Sequence, residues 1–155
     1  MTMKNNRERI AVIGGGSWGT ALANRLAHNG HDVCLWAYEA ELVCEINGSH
    51  TNSLFLPGIE LHPALTCNGS LQEVVAGRGI ILLVTPVQVM RGVLQQMAAY
   101  IAADAVIANA SKGIELETLR TVSQICRELL PAKLTQRFVA LSGPTFAREV
   151  AQGLL

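Results

Sequence analysis

Short apolar runs alternate along this chain with segments whose apolar residues recur every three to four positions. That alternation predicts strands interleaved with helices. Residues 9–13 (Arg-Ile-Ala-Val-Ile) are a β-branched run, followed after three glycines by helix-forming sequence over residues 20–27, where Leu22 and Leu26 share a face. Asn29-Gly30 ends that helix. Residues 31–37 read as a second strand and 39–46 as a helix ending at Asn47-Gly48, and residues 52–63, which hold Pro57-Gly58, read as a loop. A short strand is expected around Leu65-Thr66-Cys67, with Ser70 as N-cap of a helix over 71–76. Residues 80–84 are continuously apolar, as a strand covered on both faces would be. Helices are expected over 87–101 and 116–130, the second closed by Pro131, and strands over 105–109 and 137–141.

Six strands alternating with helices predict an α/β domain: a doubly wound, Rossmann-type parallel sheet with helices on both faces. In such a sheet the segments that follow the strands emerge along one edge, where ligands bind at the switch point. Here those segments are Gly14-Gly15-Gly16, Tyr38-Glu39, Thr85-Pro86, Ser111-Lys112-Gly113 and Ser142-Gly143-Pro144-Thr145. A length of 155 residues fits one such domain, and half of the residues are hydrophobic against 15% charged, which argues against disorder.

A formal net charge of zero gives no electrostatic case for nucleic acid or an acidic membrane surface. No apolar run approaches the length of a membrane span, and the first eight residues lack the apolar core of a signal peptide. The expectation is a cytoplasmic protein with reduced thiols and no membrane insertion. The four cysteines (Cys34, Cys44, Cys67, Cys126) form no C-x-x-C and no cluster with the histidines, so no metal site is expected. Cys34, inside an apparent strand, reads as a small buried hydrophobe.

The densest chemistry lies in Gly14-Gly15-Gly16-Ser17-Trp18-Gly19. Strand, G-x-G-x-x-G and helix in that order is the context of a dinucleotide-binding turn. Gly14 permits the tight turn, Gly16 the approach of a pyrophosphate, and Gly19 close packing of helix on strand. The plain alternative is an ordinary glycine turn. Lys112 is either a solvated surface charge or, on its Ser-Lys-Gly turn at the sheet edge, a contact for an anion.

Four blocks together resemble NAD(P)-dependent glycerol-3-phosphate dehydrogenase: Gly14 to Ala23, Phe55-Leu56-Pro57-Gly58, Ser111-Lys112-Gly113-Ile114-Glu115, and Leu141-Ser142-Gly143-Pro144-Thr145-Phe146-Ala147. They stand in the family's order and span nearly the whole chain. The resemblance implies reversible hydride transfer between the nicotinamide and C2 of glycerol 3-phosphate, giving dihydroxyacetone phosphate, a reaction that supplies glycerophospholipid synthesis. By matched position Gly14, Gly16, Ser17, Trp18, Gly19, Tyr38, Lys112 and Ala147 would bind the cofactor, and Lys112, Gly143 and Thr145 the substrate. The family carries its general-base lysine and its grip on the substrate phosphate in a second, helical domain. Residues 1–155 are therefore expected to be the NAD-binding part of a longer two-domain enzyme, with no catalytic base of its own and inactive alone. The intact enzyme is expected to be a homodimer.

The acid that reads the adenosine ribose lies about 20 residues beyond the glycines in such motifs. Glu39 falls near that place, residues 39–51 contain no Arg or Lys to meet the extra phosphate of NADP, and Glu39 and Glu41 would repel it. NAD is therefore the expected cofactor, with NADP possible. Packing on the sheet edge is the plain reading of Tyr38, and a charge meeting a helix dipole is that of Glu39. Two other functions stay open on the residues: another β-hydroxyacid-type dehydrogenase, such as the 6-phosphogluconate or ketopantoate enzymes, and a non-catalytic NAD-binding module.

Overall fold

Among the described residues every pairing between strands of the sheet is parallel, and the strand order reverses beside the first strand. The computed structural model describes residues 7–143 and 146–154. Its sheet runs β3-β2-β1-β4-β5-β6, from β1 (Arg9–Ile13), β2 (Asp32–Trp36), β3 (Thr66–Asn68), β4 (Ile80–Leu83), β5 (Val106–Asn109) and β6 (Phe138–Ala140). The helices between them are α1 (Ser17–His28), α2 (Ala40–Ser49), α3 (Leu71–Val75), α4 (Val87–Met97), α5 (Val122–Leu129) and α6 (Ala132–Thr135), with α7 (Ala147–Ala151) after β6. This is the Rossmann-type, doubly wound α/β sheet expected from the pattern.

Alternation along the central strands divides the core in two. Ala11, Ile13, Ile81 and Leu83 face one way, into a cluster with Met90, Leu94 and Met97 of α4 and Ile125 of α5. Ile10, Val12, Val33 and Leu35 face the other, against Ala21, Ala23 and Ala27 of α1 and Leu42 and Ile46 of α2. Burial on both faces explains why these strands read as unbroken apolar runs. Cys34 is buried in β2 as expected, and burial pushes the Cys67 and Cys126 thiols up to about 12, so none of these three is an activated nucleophile. Among the described residues no helix is long and apolar enough to cross a membrane.

Five helices differ from the sequence reading. Helix α2 runs through Asn47-Gly48 because the Asn47 amide pairs with β3, donating to Cys67 O (2.8 Å) and accepting from Cys67 N (2.9 Å). The left-handed cap falls instead on His50, at φ 52°. The helix expected from residue 116 starts at Val122, where Thr121 and Gln124 form a capping box. Residues 114–121 fold back on themselves instead, with Ile114 bridged to Thr121 and Leu119 at φ 55°. Helix α4 tightens into a 3₁₀ turn at Ala98–Tyr100. The short helices α6 and α7 were not expected, and α7 packs on α1. Ser70 caps α3 as expected, its Oγ accepting from Glu73 N at 3.3 Å.

Candidate functional site

A parallel sheet whose order reverses leaves a crevice outside the carboxyl ends of its two central strands. Here those strands are β1 and β4, and the crevice is a cleft of about 1020 Å³ bounded by the segments that follow β1, β2, β4 and β5.

The glycine turn forms its floor. Gly14 sits at φ +133°, its N–H donates to Trp36 O at 3.1 Å, and a Cβ there would lie 2.9 Å from the Val84 carbonyl. Gly19 is more tightly constrained still: its Cβ would fall 1.8 Å from Gly14 O. Gly15, a variable position of the motif, is hemmed in by the Ala37 side chain at 2.9 Å. Gly16 differs from all three, because a Cβ there would meet nothing within 4 Å. Gly14 and Gly19 are thus glycine for the protein's sake, while Gly16 leaves open space in the cleft.

Gly16 is also the N-cap of α1, and it provides no side-chain cap. No acidic residue stands in the first turn, and Arg25 and His28 stand in the last. The first-turn N–H groups of α1 and the positive end of its dipole therefore face the cleft without an internal anion. This is a ready-made anion site.

Ser17 and Trp18 line the cleft beside that terminus, and Tyr38, 84% exposed, lines it beyond β2. Glu39 also lines the cleft, as N-cap residue of α2, whereas Glu41, expected beside it, is exposed and lies off the lining. On the far side Ser111 anchors the turn after β5. Its Oγ donates to Thr85 O at 2.7 Å, which ties the Lys112 turn to the end of β4. Lys112 is exposed and lines the cleft, and Gly113 completes the turn at φ +108°. Glu39 and Lys112 are the two charged residues in the lining among the described residues, and they stand at opposite ends. The space between is largely apolar, walled by Trp18, Trp36, Phe55, Val89 and Val93.

Ala147, at the start of α7, also lines the cleft. Gly143 is exposed and lies off the lining, and Thr145 lies outside the described residues. Of the expected site residues, then, Gly14, Gly16, Ser17, Trp18, Gly19, Tyr38, Lys112 and Ala147 come together.

The sequence reading missed the parts that hold this floor and its right-hand wall. Asn52 and Thr20, both fully buried, hydrogen-bond the back of the glycine turn. Arg91 of α4 binds Glu115, which follows the Lys112 turn, through Nε at 2.9 Å and Nη2 at 2.8 Å. Thr118 donates to the same carboxylate. These charge-assisted bonds hold the Glu115 carboxyl down at about 2, well below its ordinary value. Gln88 adds two bonds across the same joint, to Ile114 O and from Leu116 N. A long-range pairing of this kind leaves no periodic trace in the sequence.

Residues 9–155 match the family model for the NAD-dependent glycerol-3-phosphate dehydrogenase N-terminus. A glycerol-3-phosphate dehydrogenase [NAD(P)+] of Geobacter sulfurreducens is 58% identical over 144 residues, 93% of this chain and 43% of that protein. The protein of the same name from Trichlorobacter lovleyi is 62% identical over 94% of this chain and 44% of its own length. The crystal structure of glycerol-3-phosphate dehydrogenase from Coxiella burnetii superposes with a TM-score of 0.84 at 33% identity, covering 94% of this chain and 44% of that one. The chain thus spans less than half the length of the curated relatives it matches.

Proposed function

The chain belongs to the NAD-dependent glycerol-3-phosphate dehydrogenase family, matching its N-terminal part, and on that premise we propose that the cleft binds NAD(H) for hydride transfer at its Lys112 end. The residues present fit the cofactor. Open space at Gly16, directly before the uncapped end of α1, is what a pyrophosphate needs, and this single observation carries the reading. Ser17 and the first-turn amides of α1 hold the phosphates, and Trp18 walls the site. The Glu39 carboxylate accepts from the adenosine ribose hydroxyls, and Tyr38 covers that end.

Bound there, the dinucleotide supplies the hydride. The chain's own residues orient it, exclude water along the apolar wall, and place a cation at the reacting end. In the longer protein the reaction is the reversible interconversion of dihydroxyacetone phosphate and sn-glycerol 3-phosphate, feeding glycerophospholipid synthesis. Lys112 stabilises the negative charge that develops on the substrate oxygen. Gly143 and Thr145 border the substrate, the general base lies beyond Leu155, and the protein works as a cytoplasmic homodimer.

The family sets aside the other β-hydroxyacid-type dehydrogenases. An NADH-oxidation assay with dihydroxyacetone phosphate tests the division of labour. This chain alone gives no turnover, because near-attack geometry and a proton-accepting base are both required. Turnover that disappears on Lys112→Ala would show that the catalytic machinery has been misplaced. NADH binding without turnover supports the reading, and failure to bind NADH overturns it.

A further inference from the structure

The Gly15–Gly16 peptide lies between two residues without side chains, so rotating it end for end meets little steric resistance. Its orientation nonetheless matters. A trans peptide carries its C=O and N–H on opposite sides, so whichever is held inside puts the other into the cleft. A carbonyl facing a phosphate repels it, whereas an N–H binds it.

The carbonyl is held inside by two side chains. Asn52 Nδ2 donates to Gly15 O at 3.0 Å, and Thr20 Oγ1 donates to the same oxygen at 3.1 Å. Asn52 Nδ2 also donates to Thr20 Oγ1 at 2.8 Å, so the two donors brace each other. The amide is fixed the right way round by its other end, since Asn52 Oδ1 accepts from Phe55 N at 2.9 Å. Asn52 and Thr20 are both 0% exposed, which removes water as a competing partner. Glu45 of α2 fixes the neighbours on either side, its carboxylate accepting from Thr51 Oγ1 (2.9 Å), Ser53 N (2.7 Å) and Ser53 Oγ (3.0 Å). Gly16 N, by contrast, has no backbone acceptor among the described residues.

We propose that Asn52 is a positioning residue: with Thr20, it locks the Gly15 carbonyl inward so that the Gly16 N–H faces the cofactor's pyrophosphate. The lock acts from behind the glycine turn and does not touch the cofactor. It rests on the cleft being the NAD(H) site.

The experiment measures this chain's binding of ADP-ribose, which has the pyrophosphate, and of adenosine, which does not. Parent, Asn52→Asp and Thr20→Val are compared well below their melting temperatures. Asn52→Asp keeps the acceptor for Phe55 N but sets an oxygen against Gly15 O, and Thr20→Val removes the second donor. Losing one hydrogen bond to a charged group corresponds to a rise of about tenfold in the ADP-ribose Kd. The expected result is that rise in each folded variant, with the adenosine Kd changed less than about twofold. An unchanged ADP-ribose Kd overturns the proposal, as does equal weakening of both ligands, which would mean a loosened cleft. If Asn52→Asp does not fold, Thr20→Val decides. A parent that binds neither ligand overturns the reading of the cleft and the lock with it. A parent that binds both, beside variants of unchanged affinity, overturns the lock alone.

Discussion

A Cβ on Gly19 would stand 1.8 Å from the carbonyl oxygen of Gly14, well inside any contact two such atoms can make. The absence of a side chain at Gly19 lets the first turn of α1 pack against the turn that follows β1. Gly16, three residues earlier, has no neighbour to meet. Alanine at the two positions therefore has opposite effects. Gly19→Ala costs at least about 3 kcal/mol, because the obstacle is backbone and cannot swing aside. Gly16→Ala, at φ −66°, changes stability by less than about 1 kcal/mol. Chemical denaturation of both variants checks this, and equal losses would refute it.

The Glu115–Arg91 pair fastens the turn after β5 to α4, and it titrates. The folded carboxyl is lowered to about 2 by the Arg91 guanidinium and the Thr118 hydroxyl, against 4.5 when unperturbed. A depressed folded value means stability that is fully present above about 4.5 and lost as pH falls toward 2. The stability gap between the parent and Glu115→Gln should be widest at neutral pH and close across that window. Melting curves at a series of pH values measure it, and a gap that widens on acidification would contradict the pairing.

On the proposed reading of the cleft, cofactor choice turns on Glu39. Its carboxylate lines the cleft beyond β2 next to Tyr38, and neither residue is a cation. A 2′-phosphate placed there meets like charge, so the parent should bind NADH at least about tenfold more tightly than NADPH. Replacing both residues (Tyr38→Arg with Glu39→Lys) should narrow or reverse that ratio. Competition between the two cofactors gives the answer, and a parent that prefers NADPH would refute the assignment.

Among the described residues β6 is an edge strand of the sheet, paired on one side with β5. Val139 in β6 and Leu141 just after it are half exposed, at 50% and 52%. An apolar edge strand with free backbone groups invites a second copy. Light scattering of this chain should show concentration-dependent self-association, reduced in Val139→Lys. A monodisperse monomer at high concentration would contradict this.

The parts legible in the sequence were those whose cause is local. Ile10 to Ile13 and Ile80 to Leu83 read as buried strands because each needs both faces covered, and Ser70 read as a cap because its hydroxyl serves the next turn. Gly14, Gly16 and Gly19 stood out by their spacing between a strand and a helix. Long-range partners were invisible. Asn52 lies 37 positions from Gly15, and Arg91 lies 24 from Glu115. The same blindness misplaced the start of α5, since residues 116–121 look helical until Arg91 and Gln88 draw the segment 114–116 across to α4. Asn47-Gly48 read as a helix end because the β3 backbone that holds Asn47 in the helix lies 20 residues on.

The central claim is that NAD(H) lies across the glycine turn with its pyrophosphate at Gly16. Titrating NADH into this chain while following energy transfer from tryptophan tests it most directly, since Trp18 and Trp36 both line the cleft. The parent should give a saturable signal that ADP-ribose competes away. Gly16→Val, folded but with its branched side chain in the open space, should lose affinity by at least about tenfold. If Gly16→Val binds NADH as tightly as the parent, the pyrophosphate is not there and the account is wrong.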